Sequence, residues 1–220
     1  MPGGPGARRR GARDGTGGAL SVSFRGIDLE HPLINGSGTF DAIAARRAFG
    51  DALLERFPFA AFVSKTVTVA PRQGNPPPRL WELPGGLMNS IGLPNKGLER
   101  FAAEDLPALA ALPVPVIVNV MGFSREEVAA LVEAFDARSE VVALELNVSC
   151  PNVDTGCISI GTDPSETRAL LERCRSETDV PLLAKLTPSV ADLPAVGLAA
   201  AEGGADGLGH LAADQVGQTG

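Results

Sequence analysis

Two amides, a hydroxyl and a thiol crowd into one short stretch of this chain, Asn147-Val148-Ser149-Cys150-Pro151-Asn152, directly after the apolar run Val141 to Leu146. Such a run reads as a buried parallel strand. In a β/α barrel, polar residues just past a strand point into the active site. Pro151 biases Cys150 away from the α region, which places the thiol on an extended loop ahead of the next helix. Free cysteine is usually a small buried hydrophobe, and that reading suits Cys174, inside a helix-like segment, and Cys157. Between Asn147, Ser149, Pro151 and Asn152, Cys150 reads instead as a catalytic proton acceptor, with an unperturbed pKa of about 8.5. Asn147 reads as the group that holds what Cys150 acts on. Covalent nucleophilic catalysis is the alternative, although His210 is the only downstream histidine and has no evident partner.

Three other apolar runs end similarly: Phe62-Val63-Ser64 into Lys65, Val116-Ile117-Val118 into Asn119, and Leu182-Leu183-Ala184 into Lys185. Each is expected to put one amine or amide where a buried strand surfaces. Four on one face of a barrel would ring a flat polar ligand. Only three of the 19 basic residues are lysines, Lys65, Lys96 and Lys185. A chain this biased to arginine would use Arg where surface charge sufficed, whereas a compact ammonium fits where a guanidinium fork would not. A lysine snorkelling from a strand end is the blander reading. Asn35-Gly36-Ser37-Gly38-Thr39-Phe40 would let backbone approach a ligand, or simply turn.

These residues need a scaffold, and the pattern supplies one. Apolar runs near Leu33-Ile34, Ala60 to Val63, Val114 to Val120, Val141 to Leu146, Val180 to Leu186 and from Ala205 alternate with helical periodicity over Gly97 to Ala111, Ser124 to Arg138, Asp163 to Thr178 and Ala191 to Glu202. Ser124 to Glu127 has capping-box form, and Pro164 suits a first helical turn. Strands alternating with helices predict an α/β fold with a parallel sheet. The connection from Thr66 to Gly97 is long enough to be functional; its proline triplet reads as a stiffened surface excursion. Residues 1–20 are rich in Gly and Arg, predicting a disordered extension.

The net charge of −7 argues against a nucleic-acid partner. Two histidines leave little for a metal centre or a Ser-His-Asp triad, so no metal site is expected. Three cysteines without CxxC spacing fit a reducing, cytoplasmic setting. Prolines break the uncharged stretch Leu106 to Ser124, so no membrane span is expected.

Taken together the motifs resemble dihydroorotate dehydrogenase, in its soluble class 1, NAD-linked branch. The pieces are Gly36 to Phe40, Ser64-Lys65-Thr66-Val67-Thr68, Pro71 to Pro76, Met88-Asn89-Ser90-Ile91-Gly92-Leu93-Pro94-Asn95, Val118-Asn119-Val120, Glu145 to Asn152 and Lys185-Leu186-Thr187-Pro188. The resemblance implies a TIM (β/α)8 barrel holding FMN and oxidising dihydroorotate to orotate in de novo pyrimidine (UMP) biosynthesis. By motif, Asn89, Ser90, Ile91, Gly92, Leu93, Asn147 and Lys65 would hold substrate. Ser37, Lys65, Thr66, Asn119, Asn147 and Lys185 would contact FMN. Cys150 would take a proton from C5 while hydride leaves C6 for the flavin. A partner subunit with FAD and an iron–sulfur cluster would pass electrons to NAD, and the full-length protein would be a homo-oligomer.

About six of the eight β/α units are legible, in residues 21–208. After Leu208 the chain departs from the family pattern into a divergent tail, residues 209–220. A truncated product lacking the flavin's phosphate anchor is therefore expected, one that loses FMN on dialysis and is inactive alone. A related flavin barrel acting on another dihydropyrimidine, or a non-catalytic fragment, are the alternatives.

Overall fold

The structure is a computed structural model and describes residues 20–149 and 160–210. The N-terminal extension, Cys150, Cys157 and most of the divergent tail lie outside the described residues.

The described chain opens with a small antiparallel hairpin, β1 (Val22–Phe24) and β2 (Ile27–Leu29). An isolated parallel bridge, Ile34 to Ala61, then stands where the sequence predicts a first strand. Helix α1 (Ala42–Phe49) is capped by Asp41, whose side chain accepts from the Ala44 N–H, and short α2 (Ala52–Glu55) follows. After β3 (Phe62–Val63) comes the excursion, built around a second hairpin of β4 (Leu80–Leu83) and β5 (Gly86–Asn89). The helix expected over Gly97 to Ala111 is three pieces run together: α3 (Leu98–Arg100), a π-helical turn Phe101–Asp105 and α4 (Leu106–Leu109). From β6 (Val116–Val120) the alternation is regular: α5 (Arg125–Asp136), β7 (Val141–Asn147), α6 (Pro164–Arg175), β8 (Leu182–Leu186), α7 (Leu193–Glu202) and β9 (Gly207–His210).

Local chemistry explains the helix starts. Ser124 Oγ accepts from the Glu127 N–H, as a capping box requires. The returning bond differs, because Glu127 Oε2 accepts from the Phe123 N–H, one residue earlier than the motif predicts. Asp163 caps α6 through Ser165 and Glu166, with Pro164 in the first turn.

Strands β3, β6, β7, β8 and β9 form one parallel sheet in that order, curled but not closed. It is α/β, an incompletely closed half-barrel of (β/α)8 type. Side chains alternate between its faces. Outward-facing Val118, Val120, Leu144, Leu146, Leu182 and Ala184 join Leu131, Phe135, Leu170 and Val196 of the covering helices in the main core. Inward-facing Ala61, Val63, Ile117 and Ala143 form a second, smaller core, with Leu183 and the hairpin residues Ile27 and Leu29 packed against it. The first hairpin thus covers apolar surface at the N-terminal end of the half-barrel. Asp206 ties it down, accepting from the Leu182 N–H (2.8 Å), from Arg175 (2.9 Å) and from Arg25 of the β1–β2 turn.

Among the described residues, no helix is long and apolar enough to cross a membrane.

Candidate functional site

The inner face changes character along the strands, and the register shows where. Val63, Ile117 and Ala143 are level with one another. One inward step further on, Asn119 is level with Glu145, and beyond that Asn147 is level with Lys185. Apolar packing at the N-terminal end therefore gives way to amides, a carboxylate and an ammonium at the C-terminal end. A strand period of two dictates this: Ala143, Glu145 and Asn147 must share a face, as must Leu183 and Lys185.

The sequence expectation that these groups sit where strands surface needs correcting. Asn119 is fully buried and Asn147 is buried, whereas Lys185 is half-buried and only Lys65 is exposed. Asn119 and Lys185 each lie one residue inside the end of their strand and, standing at inward positions of the alternation, point into the curl of the sheet.

A hydrogen-bonded chain joins three of the predicted residues, Asn147, Thr66 and Ser37. Asn147 Nδ2 donates to Thr66 Oγ1 at 3.2 Å, and Thr66 Oγ1 lies 3.5 Å from Ser37 Oγ, which donates to the Ser64 carbonyl at 2.9 Å. Asn147 Oδ1 accepts from both Ser149 Oγ (2.7 Å) and the Ser149 N–H (3.2 Å). The Asn147 amide is thus fixed in orientation on the last described turn before Cys150. Asn35 pins the preceding loop, exchanging two 2.8 Å bonds with the backbone of Val63 as a strand neighbour would. Lys65 lies near Gly38 of that loop, close enough that a Cβ built there would be 3.8 Å from its Nζ. Desolvation by partial burial of its ammonium lowers the Lys65 pKa, a shift that the Asp41 carboxylate partly opposes.

Two residues were not assigned a role by motif. Ser149 clamps Asn147, as just described. Glu145 accepts a hydrogen bond from Asn119 Nδ2. Burial pushes its carboxyl above the ordinary range, while the Lys185 charge and the Asn119 amide pull it back. The signal for Glu145 was present in the sequence: a lone carboxylate inside an apolar run, two residues before Asn147. Among the described residues Asn119 Oδ1 meets no donor, although it is buried. An orphaned acceptor of this kind costs about 1–3 kcal/mol, and a bound ligand that donates to it would recover that cost.

Asn89, Ser90, Ile91, Gly92 and Leu93 form a separate cluster. They fold back on residues 72–79 rather than on the strand tips. The Asn75 N–H donates to the Ile91 carbonyl at 3.1 Å, Asn75 Nδ2 donates to Ser90 Oγ at 2.8 Å, and the Ser90 N–H donates to the Arg79 carbonyl. Gly92 and Leu93 both have positive φ, 75° and 54°. Leu93 is therefore held in a sparsely populated conformation that costs about 1 kcal/mol or more, and Gly92 stands so close to Asn75 that a Cβ would meet its backbone nitrogen at 2.5 Å. The excursion is anchored at the C-terminal end of the sheet by a parallel bridge from Val67 to Val120 and by Arg72, whose guanidinium lies 5.0 Å from the centre of the Phe123 ring. Cluster and strand tips share one end of the half-barrel.

Of the cysteines, Cys174 is described, and it is buried with its thiol pKa pushed up to about 12 by desolvation. It is an inert core residue, as its place on α6 predicts.

A family model described as Dihydroorotate dehydrogenase matches residues 19–217. The chain is 43% identical over 190 residues to "Dihydroorotate dehydrogenase B (NAD(+)), catalytic subunit" from Pelobacter propionicus, an alignment covering 86% of this chain and 61% of that protein. It is 42% identical over 191 residues to the same subunit from Desulforudis audaxviator, covering 86% and 60%. It thus spans about three fifths of the length of the curated relatives it matches. Among solved structures it superposes on the crystal structure of DHODH in complex with ferulenol from Eimeria tenella, with a TM-score of 0.67 at 19% identity, covering 86% of this chain and 58% of that one. That likeness is one of fold. The half-barrel, its polar C-terminal inner face and the family match agree: the chain belongs to the dihydroorotate dehydrogenase family.

Proposed function

We propose that this chain oxidises dihydroorotate to orotate, with FMN as its cofactor and electrons leaving for NAD through a partner subunit that carries FAD and an iron–sulfur cluster. The observation that carries the reading is the convergence of Asn119, Asn147 and Lys185 on one inner face, with Thr66 hydrogen-bonded to Asn147 and one buried acceptor unmet among the described residues.

The residues fit a flavin. Amide donors and acceptors suit the edge of a planar heterocycle, and the charge of Lys185 suits an electron-rich ring. Ser37, Lys65, Thr66, Asn119, Asn147 and Lys185 are the groups that would hold it. Bound FMN supplies the acceptor for the hydride that leaves C6 of the substrate. The protein's part is positioning and proton transfer. Asn147, locked by Thr66 and Ser149, would fix the pyrimidine in one orientation, where much of the rate gain lies. Lys65 would meet the substrate's negative charge. Asn89 to Leu93, anchored above the strand tips, would cover it. Cys150 would take the proton from C5.

The test is turnover with excess FMN and an artificial electron acceptor, dihydroorotate against dihydrouracil. Oxidation of dihydroorotate with dihydrouracil untouched supports the reading. Preference for dihydrouracil, or no turnover of either with flavin bound, overturns it.

A further inference from the structure

Glu145 is an expensive residue for its place. It stands on the inner face, half-buried, in a strand whose other inward positions are Ala143 and Asn147. A residue that only filled space there would be apolar, because an ionised side chain taken out of water costs several kcal/mol unless it is paired. Two neighbours offset that cost. Asn119 on β6 donates its amide hydrogen to Glu145 Oε1, and Lys185 on β8 lies near enough for its charge to act on the carboxylate.

A carboxylate only accepts. When ionised it therefore forces Asn119 to present Nδ2 and to turn Oδ1 the other way, and Oδ1 is the buried acceptor that meets no donor among the described residues. A neutral partner would impose no such direction, since the amide could rotate and satisfy either end. The unmet acceptor is thus a consequence of Glu145, and a protein gains nothing from it unless a ligand donates there.

We propose that Glu145 is a positioning residue of the cofactor site: it holds Asn119 by its amide nitrogen so that Asn119 Oδ1 is kept free to accept from the ligand, and it counters the charge of Lys185 beside that ligand. The inference rests on the flavin reading for the identity of the ligand, and on this chain's own contacts for the role of Glu145.

Glu145→Gln preserves shape and removes the charge. Three measurements on the full chain test the role: FMN affinity by quenching of flavin fluorescence, the midpoint potential of the bound flavin, and thermal stability without flavin. Expected for Glu145→Gln is FMN binding weakened about tenfold, the worth of one well-placed hydrogen bond, and a potential shifted positive because Lys185 is no longer countered. Without flavin the variant should melt higher than wild type near neutral pH. The folded pKa of Glu145 is raised, so its ionisation costs stability as pH rises through that value, and the glutamine is spared this cost. Glu145→Asp retains the charge with a shorter reach and should recover the potential but not the full affinity.

A residue that merely supported the fold would lower the melting temperature when substituted and leave the potential alone, which overturns the proposal. So does a Glu145→Gln variant that binds FMN with wild-type affinity. If wild type binds FMN and these shifts appear but dihydroorotate is not oxidised, the assigned reaction fails while the role of Glu145 stands. If wild type takes up no FMN, both fall.

Discussion

Ser149 shows most directly how a single side chain is used here. Its hydroxyl and its N–H both donate to Asn147 Oδ1, while Thr66 accepts from Asn147 Nδ2. The amide is gripped at both ends before any ligand arrives, which is the preorganisation a positioning group needs. Ser149→Ala deletes one of the three bonds to this amide and should lower kcat/KM for dihydroorotate about tenfold with the melting temperature almost unchanged; steady-state kinetics beside a thermal scan checks both. At this scale the sequence was informative about residue type and poor about environment. Rare lysines and strand-end amides marked the site, but Asn119 and Asn147 turned out buried. Exposure depends on which groups distant in sequence lie beside a residue, as Thr66 lies beside Asn147 and Glu145 beside Asn119, and a single strand's pattern does not carry that.

The elements divide by whether their determinants are local. The caps of α5 and α6 and the strands β6, β7 and β8 follow from side chains within a few residues of each boundary, and they lie where periodicity predicts. The hairpins β1–β2 and β4–β5 were not legible. Every residue of β4 and β5 is exposed, so no face is buried and no alternation marks them. The π-helical turn ahead of α4 is likewise invisible to a pattern read at 3.6 residues per turn. One element has a sharp steric condition. Gly161 lies against Val148 so closely that a Cβ would fall on the Val148 carbonyl oxygen, and both residues adjoin the segment 150–159. Gly161→Ala should destabilise the chain by about 1–3 kcal/mol through overpacking and reduce turnover further by displacing Val148 and Ser149. Urea unfolding together with kinetics measures the two effects.

The whole molecule is held in its curl by contacts distant in sequence, and these no motif announces. Asp206 is the clearest. It joins the start of β9 to the β8 backbone, to α6 through Arg175 and to the first hairpin through Arg25. Burial alone would raise its carboxyl pKa, but the Leu182 N–H and the two guanidinium groups prevail and hold it below the ordinary value. The sign follows: its stabilisation is present above the unfolded carboxyl value of about 3.9 and is lost as pH falls through the lower folded value. Asp206→Ala leaves the Leu182 N–H unmet and should cost about 1–3 kcal/mol at neutral pH, with the difference from wild type shrinking in acid. Urea midpoints taken from neutral to acidic pH would show it. The parallel α/β class was readable because strands alternating with helices build βαβ units. The register that sets Asn119 beside Glu145, and Asn147 beside Lys185, was not.

The central claim is that these strand-borne groups serve a thiol base at Cys150 acting on dihydroorotate. Anaerobic mixing of dihydroorotate with the FMN-supplied protein tests it most directly, following the loss of visible flavin absorbance in wild type and in Cys150→Ser. Wild type should bleach, and Cys150→Ser should keep its FMN but bleach about a hundredfold more slowly, the usual worth of a general base. A wild-type protein that binds FMN and never bleaches, or a Cys150→Ser variant that bleaches at the wild-type rate, would contradict it.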